Sequence, residues 1–188
     1  EAFCVRNGKF VHVGSNDELL KLSEENEEIV DLKGKTILPG FNDAHMHFLN
    51  YAVFKSRVQL SKITSISEMI EKTKEYIKTN DIPNSQWILS RGWNDNNFEE
   101  KRLPTRQDLD KISTEHPIFF SRICGHIAVA NTRALELCDI NSQTGNPDGG
   151  VIDKLNGEPS GVLRENAMNF IFNKLPQMEK EEIKKVLK

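Results

Sequence analysis

The stretch "LPGFNDAHMHF", residues 38–48, leads an apolar run through a Pro-Gly turn to two histidines that one residue separates. In a chain of 188 residues with five histidines, this spacing arises by chance in about one sequence in ten. If residues 43–47 are extended, Asp43, His45 and His47 lie on one face of the strand. Two imidazoles on one face can ligate one divalent ion. Alternatively, both rings are exposed to solvent or packed at a strand end, and the spacing by itself favours neither interpretation.

The residues that precede this stretch predict a small β unit. Asn7 and Gly8 separate two apolar runs, and Asn-Gly is the preferred pair for a type I′ hairpin turn. Ser15, with Glu18 three residues later, predicts a capped helix. Gly34 predicts a second turn between two further strands. We therefore expect residues 1–39 to form an N-terminal β portion.

The rest of the chain predicts helices that alternate with strands. Capping and helical spacing predict a helix over residues 65–80, and a short apolar run predicts a strand over 87–93. A second helix is expected from Thr105, and residues 116–131 read as a β-rich stretch. Residues 162–175 are expected to return to helix. The fold class is therefore mixed α/β.

Composition excludes several classes of function. The 25 basic and 28 acidic residues are interspersed and give a net charge of −3, which argues against a nucleic-acid-binding face. The sequence has no apolar run of about 18 residues, so no membrane partner is expected. Cys4, Cys124 and Cys138 have no paired spacing, which favours a reducing compartment and a cytoplasmic protein. We interpret Cys124 as a small buried residue in a strand.

Several stretches together resemble one family. After "LPGFNDAHMHF" come "WILSRGWND" (87–95), "LPTRQDLDKIS" (103–113), "HPIFFSRICGHIAVANTRAL" (116–135) and "GGVIDKLNGEPSGVLRENA" (149–167). In this order and spacing they resemble the amidohydrolase superfamily, in the branch called amidohydrolase family 3, the YtcJ-like metal-dependent hydrolases. The resemblance covers nearly the whole chain, and the ordered set is far more specific than the histidine pair alone.

The resemblance implies an α/β fold that contains part of a (β/α)8 metallo-hydrolase barrel. Residues 1–39 would belong to a β-sandwich, and residues 40–188 to the first part of the barrel, with an inserted α+β region around residues 85–160. Such a barrel needs about 250 residues, so the barrel would be incomplete here. We expect an N-terminal fragment that is inactive by itself, because the later metal ligands and the base Asp would lie beyond Lys188.

The implied activity is the hydrolysis of carbon–nitrogen bonds in non-peptide amides by a metal-activated water. His45 and His47 would ligate a divalent metal, zinc being the expected ion, and the catalytic base is unknown. The partner would be a small-molecule substrate. Apolar surface left by an incomplete barrel would also favour a homo-dimer.

Four further residues are candidates for a second metal shell or a substrate pocket. Asp43 could orient a ligand. Trp93 either reaches the pocket or is buried with a hydrogen-bonded indole, and His126 either lines the pocket or is a core histidine. Glu165, expected in the helix over residues 162–175, either reaches the metal or is solvated.

Two other functions remain open at the level of sequence. The first is a non-catalytic truncated barrel that serves as a binding or assembly module. The second is a metal-dependent phosphoesterase that uses the same histidine pair, which binuclear metal content and activity on phosphate esters would favour.

Overall fold

The structure is a computed structural model that describes residues 1–24 and 26–187. The chain divides into two compact units, Glu1–Ala44 and His45–Lys188. Within the described residues, no helix has both the length and the apolar character needed to cross a membrane.

A two-stranded hairpin forms the start of the first unit. Strands β1 (Ala2–Arg6) and β2 (Lys9–Gly14) pair in antiparallel register. Asn7 and Gly8 connect them with φ angles of 51° and 73°. Positive φ at both central residues defines the type I′ turn, whose twist matches that of the flanking strands. The predicted hairpin is therefore confirmed.

The remainder of the first unit agrees only in part with the prediction from the sequence. Helix α1 (Asn16–Leu22) begins after Ser15, which forms the expected capping box with Glu18. Lys33 and Gly34 form a turn with positive φ angles, closed by a hydrogen bond between the residues on either side. No described strand flanks that turn, so the expected second hairpin is wrong. A turn sequence sets the local bend, but a hairpin also needs two runs that pair with each other.

The second unit alternates helices and strands, which confirms the mixed α/β class. Its regular elements are α2 (Phe48–Lys55), α3 (Ile66–Thr79), β3 (Ile88–Trp93), α4 (Arg106–Asp110), β4 (Ile118–Arg122), β5 (Ile127–Ala130), α5 (Thr132–Leu137), β6 (Gly150–Leu155), β7 (Glu158–Glu165), α6 (Asn169–Phe172) and α7 (Lys180–Val186).

Strands β3 to β7 form one five-stranded sheet with the order β3-β4-β5-β7-β6. Strands β3 and β4 are parallel, and the other neighbours are antiparallel. Because two antiparallel steps separate β4 from β7, strands β3, β4 and β7 run in the same direction. Their carboxyl ends therefore meet at one edge of the sheet.

Alternating side chains of this sheet enter two separate cores. On β4, Ile118 and Phe120 point to one face and Phe119 to the other, as the period of two requires. The first core contains Ile88, Val129 and residues of α3 and α4. The second is built from β5, β6, β7, α5 and α6. Both faces are covered, so β4 and β5 read as continuous apolar runs.

The expected helix over residues 162–175 is wrong in its first part, because Glu158–Glu165 form strand β7. Glu165 ends this strand, and helix α6 begins only at Asn169 after a short 3-10 turn over Asn166–Met168. Val162 and Leu163 are buried because β7 pairs with β5 on one side and β6 on the other. A short apolar run buried on both faces has the same pattern in a strand as in a buried helix, so only the pairing decides.

Helix caps at Ser65, Thr105 and Asn131 begin α3, α4 and α5. Ser65 and Asn131 accept hydrogen bonds from backbone N–H groups three residues later. Thr105 forms a capping box with Asp108. The caps at Ser65 and Thr105 confirm the helix starts expected from the sequence, because each depends only on residues within one turn.

Asn131 also connects three parts of the fold. It is fully buried, and its Oδ1 accepts from the N–H groups of Ile118 at 2.9 Å and Ala134 at 3.0 Å. Its Nδ2 donates to the carbonyl oxygens of Ser113 and His116, both at 2.9 Å. The first strand residue of β4, the first turn of α5 and the loop before β4 therefore share one side chain.

We expect Asn131→Ala to lower the free energy of unfolding by about 3–5 kcal/mol, because it leaves two N–H and two C=O groups without their partner. Asn97→Ala, at an exposed asparagine, is the control and should change stability by less than about 0.5 kcal/mol. Urea denaturation followed by circular dichroism measures both. Similar losses for the two variants would show that the Asn131 amide does not organise the sheet.

Candidate functional site

His45 and His47 lie in the connection that leads into α2. Ala44 and His45 form a bend, and His47 directly precedes the helix with φ −87° and ψ 65°. None of the described strands includes residues 43–47. The alternation that would place Asp43 and both histidines on one face therefore does not apply. An extended segment becomes a strand only where its backbone pairs with a neighbour.

The two imidazoles are nevertheless close together. Their ring centroids are 5.4 Å apart, the ring planes meet at 86°, and both residues are exposed. With zinc–nitrogen bonds of about 2.0–2.1 Å and tetrahedral angles, two rings on one ion have centroids roughly 5 Å apart. The spacing of the pair fits two ligands of one divalent ion.

A third ligand is not in place in the described part of the chain. Among residues 1–24 and 26–187, no group of three or more His, Cys, Asp or Glu side chains could hold a metal ion. Asp43 is exposed and belongs to the first unit, whereas both histidines belong to the second. The site is thus a pair of candidate ligands, and ligation by His45 and His47 stays a prediction.

Trp93 is a core residue. It ends β3 with its side chain fully buried, and its indole Nε1 donates to the carbonyl oxygen of Phe120 at 3.1 Å. The ring also stacks on Phe98. A buried indole with its N–H paired is the structural alternative anticipated for this residue. The geometry offers no support for Trp93 as a pocket residue.

His126 and Glu165 form a pair that the sequence did not predict. His126 Nδ1 lies 2.8 Å from Glu165 Oε2, and the Glu165 N–H donates to the His126 carbonyl oxygen at 2.9 Å. Both side chains are exposed, at 66% and 55% of their surface. His126 is therefore not a core histidine. The hydrogen bond and the charge of Glu165 raise the pKa of His126 above its ordinary value.

The backbone at Glu165 adopts an unusual conformation. Its φ angle is 50° and its ψ angle −127°, a region that residues with a Cβ rarely enter. The residues around it fix this geometry: Asn166 N–H donates to the Gly149 carbonyl, and Asn166 Nδ2 donates to the Asp148 carbonyl. Strain of this kind is concentrated at functional sites, and the residue that Glu165 contacts here is His126.

The expectation that Cys124 is buried in a strand is wrong, because Cys124 is exposed and lies in the turn between β4 and β5. Its slight burial would raise the pKa of the thiol, but hydrogen bonds from the His126 N–H and from Arg122 outweigh that effect and lower it. Arg122 itself is ion-paired with Asp95, which follows β3. No local pattern predicts this polar cluster, because its members come from three segments of the chain.

Replacing Glu165 by glutamine should lower the pKa of His126 toward that of a free histidine, about 6.5. Glutamine retains a hydrogen-bonding oxygen but not the charge that favours the imidazolium. Because the folded-state pKa is raised, the pair stabilises the fold below the unfolded pKa, and this contribution is lost as the pH rises through the folded value. NMR titration of the histidine ring protons measures the shift.

His12, exposed on β2, supplies an internal reference in the same spectra. An unchanged His126 titration in the variant would contradict the coupling between the two side chains.

Comparisons with known proteins extend these observations. A model described as "Amidohydrolase family" matches residues 28–188. The YtcJ protein of Bacillus subtilis (strain 168), whose name assigns it to the amidohydrolases, is 34% identical over 190 residues, covering 100% of this chain and 35% of its own length. The N-substituted formamide deformylase of Arthrobacter pascens is 32% identical over 176 residues, covering 92% of this chain and 32% of its own. The chain thus spans about a third of these curated relatives.

A solved structure agrees with the sequence relatives. The crystal structure of an uncharacterized metal-dependent hydrolase from Pyrococcus furiosus superposes with a TM-score of 0.55 and 25% identity, covering 97% of this chain and 35% of that one. Both kinds of comparison therefore identify the same class of protein.

Proposed function

The chain belongs to the amidohydrolase family, and from this we propose that it forms part of a metal-dependent hydrolase that cleaves carbon–nitrogen bonds in small amide-type molecules. The observation that carries the proposal is the close pair of His45 and His47 within the matched residues. The name of the Arthrobacter pascens relative supports the bond type, since deformylation of an N-substituted formamide breaks a C–N bond.

His45 and His47 would hold the ion through one ring nitrogen each. Imidazole ligands suit zinc among the common divalent metals, so zinc is the proposed cofactor. When bound, the ion supplies Lewis acidity, which polarises a carbonyl group and lowers the pKa of water. The position of His47 directly before α2 gives that ring a fixed backbone on its C-terminal side.

The proposed architecture follows the family. We propose that β1 and β2 belong to a β-sandwich, that the segment around His45 enters a (β/α)8 barrel, and that the sheet β3–β7 is an insertion. The similarity to the Pyrococcus furiosus hydrolase over 97% of the chain supports this arrangement. Catalytic zinc sites use three protein ligands, and the described residues bring two together. We therefore expect the 188-residue chain alone to be inactive.

We also propose a cytoplasmic location and a small-molecule substrate. Cys4, Cys124 and Cys138 are all free thiols, which fits a reducing compartment.

Metal analysis of the complete gene product tests the proposal. The double variant His45→Ala, His47→Ala should lose most of its bound zinc, and its hydrolysis of N-substituted formamides should fall by more than about 100-fold. His12→Ala, at an exposed histidine of the first unit, should retain both. Elemental analysis and an amine-release assay give the two readouts.

Equal metal content in the double variant and the wild type would contradict the assignment of His45 and His47. A complete gene product without bound metal and without hydrolase activity would favour the binding or assembly module. Two metals per chain with activity on phosphate esters would favour the phosphoesterase.

A further inference from the structure

One face of the five-stranded sheet ends in polar residues at the edge where β3, β4 and β7 finish. Leu89, Ala128 and Leu163 pack on the second core. Farther toward this edge, Arg91 follows Leu89 on β3, His126 directly precedes β5, and Glu165 ends β7. The apolar face therefore changes into a polar cluster built from β3, the β4–β5 turn and β7.

The register of the sheet fixes two members of this cluster against each other. Ile127 lies opposite Arg164, so the next antiparallel step places His126 opposite Glu165. The backbone bond and the side-chain bond between them, 2.9 Å and 2.8 Å long, follow from this register. Glu165 itself has a φ angle of 50°. The imidazole is thus oriented by a residue whose own backbone is constrained.

Arg91 lies close to Gly125 in the turn between β4 and β5, and no acidic side chain of the described residues pairs with its charge. A Cβ added at Gly125, whose φ is 79°, would lie 3.2 Å from Arg91 Nη2. Among the described residues, Arg91 forms no ion pair within 4.0 Å, whereas Arg122 and Arg164 pair with Asp95 and Asp153. Arg91 is also exposed. Its guanidinium is therefore available to an external acceptor.

We propose that Arg91 and His126 form a subsite for a carboxylate group of the substrate, and that Glu165 positions His126. This subsite rests on the proposed hydrolase function and narrows its substrates to amides that carry a carboxylate. A guanidinium presents N–H donors in a plane that matches a carboxylate. Because Glu165 occupies Nδ1 of His126, the ring presents Nε2 to a ligand.

The charges of the cluster favour an anion. Arg91 and protonated His126 carry two positive charges against the one negative charge of Glu165, and the neighbouring Arg122 and Asp95 neutralise each other. Nε2 of a ring whose Nδ1 already carries a proton donates only in the imidazolium form. The raised pKa of His126 increases that form near neutral pH.

Binding of N-acetylglycine and of N-methylacetamide to the 188-residue chain tests the subsite. The two probes share an amide, and only the first has a carboxylate. N-acetylglycine should shift the NMR signals of the His126 ring in a saturable manner, whereas N-methylacetamide should not. His126→Gln assigns those signals. Equal shifts with both probes would overturn the proposal.

Arg91→Met should raise the apparent Kd for N-acetylglycine about tenfold, the effect of losing one charge-assisted hydrogen bond. Arg133→Met is the matched control, because Arg133 is an exposed arginine whose ion pair, with Glu136, lies on α5. A Kd for Arg91→Met within twofold of the wild type would contradict the subsite.

Kinetics of the complete gene product separate this inference from the proposed function. Arg91→Met should retain its metal and raise KM for a carboxylated amide about tenfold, with KM for an uncharged amide unchanged. Glu165→Gln should shift the pH profile of the carboxylated substrate to lower pH. If the wild type holds no metal but the chain still binds N-acetylglycine through Arg91, the hydrolase proposal fails and the anion site stands.

Discussion

The buried amide of Asn131 is the constraint on which the second unit depends. Each of its hydrogen-bonding positions pairs with a backbone group from a different place: β4, α5 and two points in the loop before β4. An aspartate would lose both donated bonds, and an alanine all four. Once this side chain is in place, β4 and β5 are set in register, because the Asn131 N–H also donates to the Ile118 carbonyl. The two cores lie on opposite faces of the sheet that this register defines.

The sequence predicts those parts of the fold whose causes are local. The Asn7-Gly8 turn and the caps at Ser15, Ser65 and Thr105 each depend on groups within about four residues, and all are present. Glu165 was misassigned to a helix because its strand is defined by partners far along the chain. The sequence also predicts a buried strand position for Cys124, whereas the structure places this residue, exposed, in the turn that contains Gly125.

In the candidate site too, contacts between sequence neighbours could be predicted and contacts between distant residues could not. His45 and His47 are neighbours in sequence, so their proximity could be expected from spacing, although the bend at Ala44 and His45 replaced the expected strand. The contact between His126 and Glu165 joins residues that lie 39 positions apart. No local pattern encodes it, since it requires β5 and β7 to be paired in one register. Both residues were singled out by resemblance, but their relation to each other is a property of the folded sheet.

The backbone conformation of Glu165 has a cost in free energy. A residue with a Cβ at positive φ and extended ψ is less stable by roughly 1–3 kcal/mol than one in a regular strand. The surrounding structure can hold it, because the pairing of β7 with two neighbours and the bonds of Asn166 would all have to change for Glu165 to relax. A strand that only needed to end here could do so with glycine at no such cost. The glutamate at this position places its carboxylate 2.8 Å from the exposed imidazole of His126, which is consistent with the positioning role that we propose for it.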